Sequence, residues 1–109
     1  MNDKTKVNFC IKLAEYLPND MEQIYVVGNH QKLGNWNPNK AKVLKKKKDG
    51  SYCSFCELPV GTNLEFKVIK TLDWDHVEVG AFCEMVENHV AEVNNDTTLE
   101  VTVYNWKEN

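Results

Sequence analysis

The sequence predicts an all-β fold, a sandwich or barrel of seven to eight short strands. Three observations carry that expectation. Apolar and polar residues alternate at period two, turn signals recur about every ten residues, and no stretch sustains a helical period bounded by caps.

The elements follow in order. Val7, Phe9, Ile11 and Leu13 alternate with Asn8, Cys10 and Lys12, the pattern of a strand with one buried face. Y-L-P-N-D-M breaks it, and the β-branched, aromatic run Gln23 to Val27 forms a second strand. A long loop, G-N-H-Q-K-L-G-N-W-N-P, leads to a third strand at Ala41 to Lys45. Asp49-Gly50 is a tight-turn signal because Gly accepts positive φ without steric cost, so Lys45 to Lys48 flank a hairpin and blunt its edge. Tyr52 to Leu58 make the fourth strand, Pro59-Val-Gly61 a turn, and Leu64, Phe66 and Val68 a fifth strand alternating with Glu65, Lys67 and Ile69. Extended pieces are expected near Asp75 to Val79, Phe82 to Met85 and His89 to Val93, and a last strand at Leu99 to Tyr104.

With 109 residues the chain makes one module, 1–109, with one core, and the expectation is a piece of a longer protein or a cytoplasmic chain. Thirteen Lys+Arg against sixteen Asp+Glu give a net charge of -3, which offers nucleic acid or an anionic membrane no global attraction. The N-terminus lacks the long apolar run of a signal peptide or membrane span, and a monomer is expected.

Four cysteines invite a metal reading, and Cys53-Ser-Phe-Cys56 has zinc-ligand spacing. In a strand, however, positions three apart point to opposite faces. Free thiols are therefore expected at Cys10, Cys53, Cys56 and Cys83, with no metal and no cofactor. Carboxylates and histidines crowd D-W-D-H-V-E and E-M-V-E-N-H, yet no G-x-S-x-G, H-E-x-x-H or phosphate-cradling glycine loop frames them, and a non-enzyme is expected.

Trp36 poses the sharper question, because the chain puts a large apolar side chain in a loop between Asn35 and Asn37. Either it plugs a sheet end or it forms a surface platform; the same alternatives hold for Trp74. V-G-N-x-x-x-L-G-N-W-N-P, then E-L-P-V-G-T-N-L-E-F-K-V-I-K, then a Trp among acidic residues, resembles the starch-binding domain of carbohydrate-binding module family 20 from Val7 to Trp106. The resemblance implies an antiparallel β-sandwich of immunoglobulin-like topology. It also implies non-catalytic binding of α-1,4-glucans such as starch, glycogen and maltooligosaccharides.

It implies a sugar site of Trp36, Trp74 and Lys67, with Glu78 and Asn88 supplying polar contacts, and a second site at Tyr16 and Tyr52. That chemistry is sensible: a glucose ring offers C–H groups on its faces and hydroxyls at its rim, so it suits a flat aromatic edged by polar side chains. The family's W-E-x-x-P-N-R is absent here. Asn88-His89 matches its N-R end with extra residues after Trp74, or Val77-Glu78 takes the W-E position. D-W-D-H-V-E and the closing T-V-Y-N-W are also similar to starch-binding-like domains of bacterial esterases, which implies an alternative role of packing against an attached catalytic domain without sugar. Trp106 is expected to plug the sandwich end.

Overall fold

Period-two alternation becomes strand wherever one face can be buried, and it does so through most of the chain. The computed structural model describes residues 3–108. Its strands are β1 (Lys4–Leu13), β2 (Gln23–Gly28), β3 (Lys42–Lys46), β4 (Tyr52–Pro59), β5 (Thr62–Ile69), β6 (Glu78–Val79), β7 (His89–Val93), β8 (Thr97–Val103) and β9 (Asn105–Trp106). In β1, Thr5, Val7, Phe9 and Ile11 are buried while Lys4, Lys6 and Lys12 are exposed, so alternation decides which side faces the core.

Seven strands form one sheet in the order β7-β5-β2-β3-β4-β1-β8, and β6 pairs with β9 in a separate ribbon. β3 and β4 share only the pairs Lys45↔Cys53 and Lys46↔Tyr52, and at this weak seam the sheet folds over on itself. The rings of Phe9 on β1 and Phe66 on β5 meet edge to face with centroids 5.3 Å apart, although three strands separate them in the sheet. Two layers therefore enclose the core, β7-β5-β2-β3 against β4-β1-β8. Burying one such aromatic or Leu side chain contributes about 1.5–3 kcal/mol, and the edge-to-face pair adds about 0.5–1.5 kcal/mol.

The all-β sandwich stands, with corrections. The sheet is mixed rather than purely antiparallel: β8 lies parallel to β1, from Val7↔Thr97 to Leu13↔Val103. The chain crosses between layers after β7, and Asp96 anchors the crossing by accepting from Thr5 Oγ1 and Lys6 N, both at 2.8 Å. These two hydrogen bonds hold the Asp96 carboxyl below its ordinary range, the backbone bond from Lys6 most strongly. Phe82 to Met85 is a turn, not a strand. Cys83 has φ +64°, outside the strand region, and Glu84 Oε1 accepts from Phe82 N at 2.9 Å.

The Asp49-Gly50 hairpin forms as expected, with Gly50 at φ +89°. Trp106 is 4% exposed within the core cluster, and its Nε1 has no hydrogen-bond partner among the described residues. Cys56 points inward with Leu58, and burial raises its thiol pKa; Cys53 lies on the opposite, outer face of β4.

Candidate functional site: a tryptophan pair on the outer face of β2 and β5

The long loop between β2 and β3 is built to deliver Trp36. His30 caps a short 3₁₀ turn at Gln31–Leu33 by accepting from Lys32 N, and Leu33 drops fully buried into the core. Gly28 permits this: a Cβ there would lie 2.5 Å from Glu65 O and 2.8 Å from Leu33 Cδ1. Gly34, Asn35 and Trp36 then run through left-handed φ values of 84°, 50° and 64°, and Trp36 N donates to Gly28 O at 2.8 Å. A bulky residue in that region costs about 1–3 kcal/mol, so surrounding contacts must hold it. Asn37 closes the loop by accepting from Asn39 N at the head of a second 3₁₀ turn, Pro38–Lys40.

These reversals lay the Trp36 ring over the outer face of the sheet, away from the main core. It packs on a small second cluster of Val27, Ile69 and Val77, beside Tyr25 and Ala41, and stays half-buried. Trp74 lies next to it, 38% exposed, with ring centroids 6.4 Å apart and planes inclined at 35°. The two rings thus form a tilted surface pair.

The loop that carries Trp74 is organised by the Asp73 carboxylate. Asp73 accepts from Thr71 Oγ1 at 2.8 Å and from His76 N at 3.2 Å, and His76 Nδ1 lies 3.2 Å from the same carboxylate. The Thr71 hydroxyl, and then His76, hold the Asp73 carboxyl below its ordinary value of 3.8.

Lys67 faces the same outer surface. It sits opposite Val27 in the β2–β5 register, one side-chain repeat from Ile69, a spacing of about 7 Å. Its Nζ donates to Val86 O at 2.8 Å, using one of three N–H donors. Farther along β5, Asn88 Nδ2 donates to Glu65 Oε1 at 3.3 Å, and both residues are exposed. Trp36, Trp74, Lys67 and Asn88 therefore flank one stretch of outer β5. Beside Trp36, Gln31, Gly34, Asn35, Asn37 and Lys40 line an open polar groove of about 460 Å³.

Two of the sequence-predicted site residues sit inside. Glu78 is 4% exposed; it accepts from Val68 N at 3.2 Å and pairs with His89 Nε2. β7 covers β5 only as far as Phe66, so the Glu78 carboxylate satisfies an edge N–H that would otherwise be orphaned. Tyr52 is fully buried, because it shares the inward face of β4 with Cys56 and Leu58, and its hydroxyl lies 2.7 Å from Met21 O and 2.9 Å from Asn19 Oδ1. Burial, and then Asp20, raise its pKa.

Tyr16 is exposed, but at the end of the sandwich where β2 starts, whereas the Trp36 loop leaves where β2 ends. Its hydroxyl donates to Tyr104 O at 2.8 Å, and Tyr104 is itself half exposed. Sequence reasoning missed Tyr104 as Tyr16's neighbour and Asp73 as the organiser of the Trp74 loop. The Thr-x-Asp-x-x-His spacing of Thr71, Asp73 and His76 was the available signal for the second.

A sequence-family model described as a starch binding domain matches residues 4–103. A cyclomaltodextrin glucanotransferase of Paenibacillus macerans is 35% identical over 83 residues, 67% of this chain and 11% of that enzyme. Among solved structures, the family 20 carbohydrate-binding module of a maltotetraose-forming amylase from Pseudomonas saccharophila superposes with a TM-score of 0.62 at 22% identity, covering 90% of this chain and 99% of the other. A glycoside hydrolase family 15 glucoamylase from Hypocrea jecorina gives 0.65 at 20% identity over 97% of this chain and 18% of that one. These two likenesses show the fold. The chain spans only a small part of the curated enzyme's length.

Proposed function

The chain belongs to the starch-binding domain family, carbohydrate-binding module family 20, and from that premise we propose that it holds α-1,4-glucan on the Trp36–Trp74 pair without catalysing a reaction. The observation that carries this reading is the pair itself: two partly exposed indoles, 6.4 Å apart and tilted by 35°, on the outside of the sheet. Tilted faces suit a curved α-glucan, each indole taking the C–H face of a glucose unit. Lys67, with donors to spare beyond Val86 O, and Asn88 at the exposed end of the same strand face supply hydrogen bonds to rim hydroxyls. Glu78 serves differently: buried and paired with the half-buried His89, it fixes the start of β7 and so the segment bearing Val86 and Asn88.

Such a module acts by raising the local concentration of an attached catalytic domain on its polymer, which needs only modest site affinity. The alternative, packing against a catalytic neighbour without sugar, calls for a Trp36 covered by its own loop; the half-buried ring beside an exposed Trp74 favours the glucan. The test is a fluorescence titration with β-cyclodextrin or maltoheptaose. Trp36 and Trp74 emission should change saturably while the buried Trp106 stays silent, and a flat titration at millimolar sugar would overturn the reading.

A further inference from the structure

The outer face of the other layer carries a second feature, unrelated to the tryptophan pair. Cys10 on β1 and Cys53 on β4 are direct cross-strand partners in the antiparallel register. Both occupy outward positions, since the buried set is Phe9 and Ile11 on one strand and Tyr52 and Cys56 on the other. Both are free thiols and half-buried, within reach of a small reagent. Directly opposed residues of an antiparallel pair have Cα atoms about 4.5 or 5.5 Å apart, according to their hydrogen-bonding phase, and both spacings lie within the span a disulfide bridges. Because both side chains leave the same face, their Cβ vectors are already aligned.

We propose that Cys10 and Cys53 form a reversible disulfide staple across β1 and β4, responsive to the thiol–disulfide poise of the surroundings. A small-molecule disulfide is the oxidant. The Cys53 thiolate attacks one of its sulfurs, making a mixed disulfide and expelling one small thiolate. The Cys10 sulfur then attacks Cys53 Sγ, closing the protein disulfide and expelling the second small thiolate. Two electrons pass to the reagent, and the two thiol protons end on its two released thiols.

The surroundings support that order. Burial, and then the adjacent Cys53 thiol, raise the Cys10 pKa, which makes Cys10 the resolving rather than the attacking sulfur. Ser51 Oγ gives its one proton to Asp49 Oδ1 at 2.6 Å and lies 3.5 Å from Cys53 Sγ as an acceptor for the thiol. Lys45 of β3 is the register neighbour of Cys53, and Glu100 of β8 that of Cys10, so a cation stands on the attacking side and an anion on the resolving side. Two sulfurs alone do not make a structural zinc site, which takes four ligands.

The test incubates the folded protein with excess oxidised over reduced glutathione, followed by intact mass and peptide mapping under non-reducing conditions. The expected product has lost about 2 Da, with one link joining the Cys10 and Cys53 peptides, and its Tm is raised by roughly 5 °C or more. Cys10→Ser and Cys53→Ser should each abolish the mass loss, whereas the double variant Cys56→Ala/Cys83→Ser should retain it. A stable glutathione adduct without closure, a link involving Cys56 or Cys83, or unchanged thiols at strongly oxidising ratios would each overturn the proposal. The wild-type peptide map decides even if a variant folds poorly.

Discussion

Truncating the two tryptophans separately distinguishes a sugar platform from a structural plug, because the sheet holds them differently. Trp36 rests on Val27, Ile69 and Val77, whereas Trp74 belongs to neither buried cluster. A fully buried Trp covers about 150–250 Å²; with roughly two-thirds or more of that buried, Trp36→Ala removes roughly 130 Å² of contact, or about 3 kcal/mol of stability. Trp74→Ala should cost no more than about 1 kcal/mol, in the usual range for a partly exposed site. For binding the order should not follow stability. On the proposed reading each ring stacks on a glucose unit, and loss of either should weaken glucan affinity by about 2 kcal/mol, more than tenfold. Isothermal titration with β-cyclodextrin gives the affinities, and urea unfolding the stabilities. Trp74→Ala that is nearly as stable as wild type and binds as tightly would refute the paired platform, leaving Trp36 at most a lone contact.

Other residues give independent tests. Lys67→Met keeps the apolar stem and removes the donors, so binding should weaken by about 1.5–3 kcal/mol, as for a charge-assisted hydrogen bond. Stability should fall by about 1 kcal/mol because Val86 O loses its partner; unchanged titration would exclude Lys67 from the site. Tyr52→Phe should lower stability by about 1–2 kcal/mol through the lost hydroxyl contacts with Met21 and Asn19, leaving glucan affinity untouched; weakened binding would contradict its core role.

The Asp73 hub sets a pH dependence. Its folded pKa lies below 3.8, so the order it gives the Trp74 loop is fully present above about pH 5 and is lost as the pH falls through the lowered value. Binding should weaken as the pH falls through that lowered value, and Asp73→Asn should bind weakly throughout. Full binding by Asp73→Asn would remove the hub from the account.

Much of the fold was legible because local signals suffice for it. Val7, Phe9 and Ile11 mark β1 by alternation, and Asp49-Gly50 marks the hairpin by backbone freedom. The parallel β1–β8 pairing was not legible, since strand partners are chosen by long-range contacts and no residue of Thr97–Val103 records them. Phe82–Met85 has strand-like composition, but the Phe82–Glu84 hydrogen bond and the left-handed Cys83 turn it. At the proposed site, Trp36, Trp74 and Lys67 were singled out as residue types in a motif. Tyr52 and Glu78 were misplaced for physical reasons: the face of Tyr52 is fixed by its register against Ile11, and a carboxylate reads as surface until its partners, Val68 N–H and His89, are known. The meeting of Trp36 with Trp74 depends on two loops folding over one strand pair, which no local pattern encodes.

The central claim, that the outer face of β2 and β5 holds α-glucan through its two tryptophans, is tested most directly by native gel electrophoresis with amylopectin in the gel. The wild-type chain should be retarded, soluble β-cyclodextrin should release it, and Trp36→Ala/Trp74→Ala with a native circular dichroism spectrum should run free. Wild-type protein that migrates equally with and without amylopectin, or a folded double variant that is retarded as strongly as wild type, would contradict the account.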